Sequence, residues 1–185
     1  MHVETFTVRM KTVDYHLRDE RFEDTLSSAR QLRRDLMSEV VVETDQVCWP
    51  LYYELRTLHV LGRWHDFISL MHRYYTLLLA MGPKDNAYAH SLAMEAAANT
   101  ANFDDFVHWA RQCFEFRIID QDIEALQSAL QTARALLEVS RRIDLFPVLL
   151  DNLTEVAKDH QETELAELVR EWAERSREYL QQQAQ

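Results

Sequence analysis

The chain of 185 residues is 47% hydrophobic and contains two Gly, three Pro and two Cys, which suits one sizeable core and is short for two. Its glycines, Gly62 and Gly82, stand alone, which excludes the phosphate-cradling loops of dinucleotide and P-loop folds and leaves long helices joined by short turns. The 20 Lys and Arg against 31 Asp and Glu give a net charge of −11, which repels a phosphate backbone and argues against a nucleic-acid reader.

Apolar residues recur at helical spacing from the start: Phe6, Met10, Val13 and Leu17, then Leu26, Ala29, Leu32 and Leu36, then Val47, Leu51, Leu55 and Leu58. Continued along the chain, the spacing predicts nine helices, over about 4–18, 21–38, 45–62, 64–81, 84–101, 103–118, 121–140, 144–160 and 162–181. Val40, Val41 and Val42 read as a connector ahead of a start signal at Thr44 or Asp45. Pro50 marks either a later start of the third helix or a bend in it. Gly62, Gly82, Pro83 and Pro147 fall at predicted helix boundaries. No apolar run approaches the ~20 residues that span a bilayer. The first residues carry charge at Glu4, Arg9 and Lys11 instead of an apolar stretch, so the expectation is a soluble cytoplasmic protein without membrane insertion. Cys48 and Cys113 lack ligand spacing and read as reduced packing residues.

The predicted turns repeat. Arg21-Phe22-Glu23-Asp24, Arg63-Trp64-His65-Asp66, Asn102-Phe103-Asp104-Asp105 and Arg142-Ile143-Asp144-Leu145 each put a large apolar residue second, and these residues lie 42, 39 and 40 positions apart. Such a period is that of stacked helix pairs whose single units cannot bury their own apolar faces. Over about residues 4–160 the chain resembles the tetratricopeptide-repeat-like α-solenoids. The resemblance implies an all-α fold of stacked antiparallel hairpins in a right-handed superhelix. On this reading one domain spans residues 1–185, with hairpins over about 4–38, 45–81, 84–118 and 121–160 and a capping helix over about 162–181. Two features depart from that family. Thr25, Phe67, Phe106 and Phe146 occupy the place of its small residue three positions after the turn anchor, and the period near 40 exceeds its usual 34, so armadillo or HEAT repeats remain an alternative. The last helix reads as a cap with the apolar stripe Leu165, Leu168, Trp172 and Tyr179.

No motif points to catalysis. His59, His65 and His72 lack the Glu-x-x-His pattern of carboxylate-bridged metal bundles and the His-Glu-x-x-His of zincins. His16, His90 and His108 read, like them, as ordinary polar contacts. No Gly-x-Ser-x-Gly is present. The pair Asp104-Asp105 and the group Asp120, Asp122 and Glu124 sit at predicted helix starts, where capping accounts for them. The expectation is a protein with no catalytic residue, metal or cofactor.

Two distributions point to binding. Of the 19 aromatic residues, 13 lie between Trp49 and Phe116. On the third and fifth helices, which the resemblance puts on the concave face, Tyr52, Tyr53, Arg56, His59, Tyr88, Ser91, Glu95 and Asn99 form the candidate partner-binding surface, and aromatics with Arg commonly anchor bound segments. Residues 94–185 carry 9 basic and 18 acidic side chains, against 11 and 13 in residues 1–93. The leading expectation is therefore a non-enzymatic adaptor or chaperone that holds a peptide or helix of another protein, with the acidic half favouring a basic partner, and a homodimer through the N-terminal helix is a further expectation. A second reading is an acidic inhibitor or immunity-type protein that neutralises a basic toxin or nuclease through the acidic half. A third is a helical ligand sensor or enzyme without a recognisable motif.

Overall fold

The computed structural model describes residues 3–39 and 44–183; the Val40, Val41 and Val42 connector lies outside them. Among the described residues the chain is all-helical, with no strand. Its nine helices are α1 (Val3–Arg18), α2 (Phe22–Met37), α3 (Thr44–Val60), α4 (Trp64–Leu78), α5 (Pro83–Asn99), α6 (Phe103–Ile119), α7 (Ile123–Val139), α8 (Phe146–Asp159) and α9 (Thr163–Gln183). Most boundaries fall within two residues of the periodicity, and two departures have a visible cause. α4 stops at Leu78, after a non-helical Tyr74 (φ −123°, ψ 19°). α8 starts at Phe146 behind a 3-10 turn over Ile143–Leu145, with Pro147 in its first turn, where a missing N–H leaves no intrahelical bond unmade. Pro50 lies inside α3 and does not delay its start.

One turn joins helices six times. Glu20, Gly62, Ala101, Gln121, Arg141 and Gln161 take φ between 55° and 64°. The next residue's N–H (Arg21, Arg63, Asn102, Asp122, Arg142, Glu162) donates to the carbonyl five residues back at 2.8–3.1 Å, closing a Schellman-type helix end. The same residue opens the following helix. Asn102 and Asp122 cap it by accepting the N–H of Asp105 and Ala125, while Arg21 and Arg63 instead reach forward to Asp24 and Asp66 at 2.8 and 2.9 Å. Acidic residues there also suit the positive end of the helix dipole. From Ala101 onward the turn recurs every 20 residues, half the period that the four apolar anchors display. The anchors themselves, Phe22, Trp64, Phe103 and Ile143, are half-buried, whereas Thr25, Phe67 and Phe106, three positions on, are fully buried. The place that tetratricopeptide repeats give to a small residue is thus a core position here, filled twice by Phe.

The chain divides into two compact units, Met1–Gly82 and Pro83–Gln185. In the first, α2 packs on α3, α3 on α4 and α1 on α2, around Leu32, Leu36 and Val47 with Phe6, Met10 and Leu77 against them. A charged node lies inside it. Glu54 of α3, wholly buried, accepts from Arg33 Nε at 2.5 Å and Arg30 Nε at 3.3 Å, both on α2. The Arg33 guanidinium also lies 4.6 Å from the centre of the Tyr74 ring, at the irregular point of α4. Burial works to lower the Arg33 pKa, but the hydrogen bond and charge of Glu54 outweigh it and hold it above its ordinary value. A buried carboxylate persists only with such partners.

In the second unit α5 and α6 form the most extensive pair; α5 buries the small Ala87, Ala89, Ala93, Ala96 and Ala97, α6 the large Phe106, Trp109 and Phe114, and small residues on one helix let a partner approach closely. α8 packs on α9 and on α6, and α7 packs mainly on α6 and α5 and meets α8 little. The buried stripe of α9 is Ala166, Val169 and Ala173. This corrects the expected stripe: Leu168 and Tyr179 are exposed and Trp172 is half-buried, since three small residues in helical register let α8 approach more closely than the larger ones would.

Candidate functional site

The partner-binding residues expected from sequence fall four to each unit. In the first, Tyr52 is buried, edge-on to Trp49 at 6.0 Å and to Tyr53 at 6.1 Å, with the Arg56 guanidinium 5.7 Å from its ring. The Tyr53 hydroxyl donates to Asp14 Oδ1 of α1 at 3.1 Å, and burial first, then Asp14, pushes its pKa up. His59 stands edge-on to Trp64 at 5.1 Å and to Phe67 at 6.2 Å. These four are therefore tied to their own unit by aromatic and hydrogen-bond contacts. In the second unit, Tyr88 is exposed, Ser91 Oγ donates to the Tyr88 carbonyl at 2.7 Å and Asn99 Nδ2 donates to the Glu95 carbonyl at 2.9 Å. Ser91 and Glu95 come together in a cleft of about 160 Å³ between α5, α6 and α7, across from Arg117, Ser128 and Thr132.

Larger concavities than this cleft lie elsewhere in the second unit, between α7 and α9. Two hollows of about 380 and 520 Å³ share Arg134, Phe146, Arg175 and Ser176 and together form one groove. Phe146 and Leu150 of α8 make the floor. Gln127, Leu130, Gln131, Arg134 and Glu138 make the α7 wall, and Trp172, Arg175, Ser176, Tyr179 and Leu180 the α9 wall. The groove exists because α8 is drawn to α9 by the small stripe and scarcely meets α7. Trp172 and Tyr179, the large residues of the expected stripe, thus line an open surface. Their presence on a helix with a second, smaller apolar stripe was the available sequence signal.

Two groups that often carry chemistry, His90 and Cys113, are buried in the second unit. His90 is wholly buried in α5, correcting its reading as an ordinary polar contact; its ring lies 5.6 Å from Trp109 and 5.3 Å from Phe116, and its Nδ1 is 2.6 Å from the Asn86 carbonyl. Burial lowers its pKa to about 4, against the hydrogen bond to Asn86, so the ring is neutral at pH 7. Burial pushes the Cys113 thiol up to about 11, and its Sγ donates to the Ala87 carbonyl at 3.4 Å. Cys48 and Cys113 are both buried free thiols. Among the described residues no group of three or more His, Cys, Asp or Glu could hold a metal ion, and no helix is long and apolar enough to cross a membrane. The chain matches no model of a known protein family and no curated protein.

Proposed function

We propose that the chain is a helical-repeat interaction module of tetratricopeptide-like kind, which holds a helical segment of a partner protein in the groove between α7 and α9. The observation that carries this reading is the groove itself: an aromatic and aliphatic floor, open to solvent, flanked by polar side chains on two helices. Apolar grooves between helices receive amphipathic helices through anchors spaced at one and two turns, and aromatic and Arg residues are the commonest anchors of such interfaces. The repeat character is supported by the six identical turns and by the packing of next-but-one neighbours, α1 on α3, α5 on α7 and α6 on α8. The module acts by binding and not by chemistry; the full burial of His90 and Cys113 in α5 and α6, out of reach of a substrate, supports that reading. The reduced state of the buried cysteines suits a cytoplasmic setting.

The test uses rim residues whose loss spares the core. Arg134, Arg175 and Tyr179 are all exposed. The triple variant Arg134→Ala, Arg175→Ala, Tyr179→Ala should keep its melting temperature within about 5 °C, since three exposed substitutions of up to ~0.5 kcal/mol each sum to no more than ~1.5 kcal/mol. It should also lose a partner that the wild type captures from its native host. A variant that captures every protein the wild type does contradicts the groove assignment.

A further inference from the structure

The groove differs in charge from the unit that holds it. Residues 83–185 carry 10 basic and 19 acidic side chains, yet the charged residues lining the groove are Arg134, Arg175 and Glu138. The two arginines stand on opposite walls and line both hollows. The Arg134 guanidinium also lies 6.0 Å from the centre of the Phe146 ring, so cation and apolar floor adjoin. Among the described residues the ion pairs of both run along their own helix and in solvent, Arg134 with Glu138 at 2.9 Å and Arg175 with Glu171 at 3.5 Å. Exposed pairs of that kind contribute a few tenths of a kcal/mol. A carboxylate brought in by a ligand and shielded from water bonds a guanidinium more strongly, and two-pronged where the geometry permits. Arg177, by contrast, is drawn to Asp151 of α8.

We infer that the occupant is an acidic amphipathic helix of two to three turns, its apolar face on Phe146 and Trp172 and its carboxylates meeting Arg134 and Arg175. The inference rests on the groove reading above and adds the partner's chemistry. Length follows from the walls: Gln127 to Glu138 rises about 16 Å and Trp172 to Leu180 about 12 Å at 1.5 Å per residue, room for roughly eight to eleven helical residues. The acidic exterior of the unit repels such a helix at long range, so recognition depends on close contact and not on steering, and its on-rate should rise with salt.

Display of randomised 12-residue helical peptides, selected on the full chain and followed by fluorescence anisotropy of the enriched peptides, tests this. Enriched sequences should place Asp or Glu beside apolar residues spaced at i, i+4 and i+7, and Arg134→Gln with Arg175→Gln should weaken an acidic peptide about tenfold. Selection on Arg134→Glu with Arg175→Glu should turn the preference to Lys and Arg. Neutral or basic peptides that ignore the Gln substitutions but lose affinity with Tyr179→Ala overturn the acidic partner and leave groove docking standing. Peptides insensitive to all of these variants, or no enriched peptide, overturn both. Self-association of the wild type that the Glu substitutions abolish makes a second copy the occupant, and likewise overturns the inference.

Discussion

His90 occupies a place where a histidine is costly to protonate. Its pKa of about 4 in the fold against about 6.5 in an unfolded chain means that the unfolded state binds the extra proton first. The stability that neutral His90 provides is therefore complete above about pH 6.5 and is lost as the pH falls toward 4, up to about 3 kcal/mol. Urea unfolding at pH 7.0 and 4.5 should show the wild type falling by about 2 kcal/mol more than His90→Met; equal falls would contradict the assignment. The burial of His90 was not legible in the sequence, because α5 has apolar residues around most of its circumference and so no stripe that fixes which side is inside. The Glu54 node was equally hidden. Arg30 and Arg33 could be seen as neighbours on one helix, but their shared carboxylate lies 24 and 21 residues away and only packing of α2 on α3 joins them.

At the scale of elements the sequence was far more informative, since 3.6-residue periodicity and the positions of Gly62, Gly82 and Pro147 are local signals. The spans of α1, α2 and α6 fall within a residue or two of the periodicity. The six-fold use of one turn was half legible. Four copies are read from their apolar anchor, and the copy at Gln121 carries the same pattern in Asp122-Ile123-Glu124, half a period out of step with them; only the copy at Gln161, with Thr163 in second place, lacks the anchor, and five of the six left-handed positions hold a residue other than Gly. Those five carry backbone strain that glycine relieves. Ala101→Gly and Gln121→Gly should each stabilise the protein by about 0.5–1 kcal/mol in chemical unfolding. Gly62→Ala should cost about 1 kcal/mol; because the nearest atom to an added Cβ would be 3.8 Å away, that cost lies in the backbone alone. Gly82 has no positive φ and open space around it, so Gly82→Ala is the control and should be neutral or slightly stabilising. Equal effects at positions 62 and 82 would contradict the turn analysis.

At the scale of the whole molecule, each unit builds its own core, and the proposed binding surface emerges from how helices within a unit are shared. α8 sits between α6 and α9 and leaves α7 apart, which turns Phe146 and Trp172 from packing residues into the walls and floor of a groove. Sequence could assign both residues to helices but not to a groove, because that depends on α9 presenting Ala166, Val169 and Ala173 to α8 in place of its larger side chains. The expected surface on α3 and α5 is divided between the two units, with its first four residues held by internal contacts and Ser91 and Glu95 in a small cleft. Binding of a partner in the α7–α9 groove is what we propose. Its most direct test is site-specific photo-crosslinking in the native host, with a photoreactive residue in place of Tyr179 on the groove wall or of Tyr15, equally exposed on α1 of the other unit. The account predicts a discrete adduct to one protein from position 179 and none from position 15; no adduct from 179, or the same adduct from both positions, would contradict it.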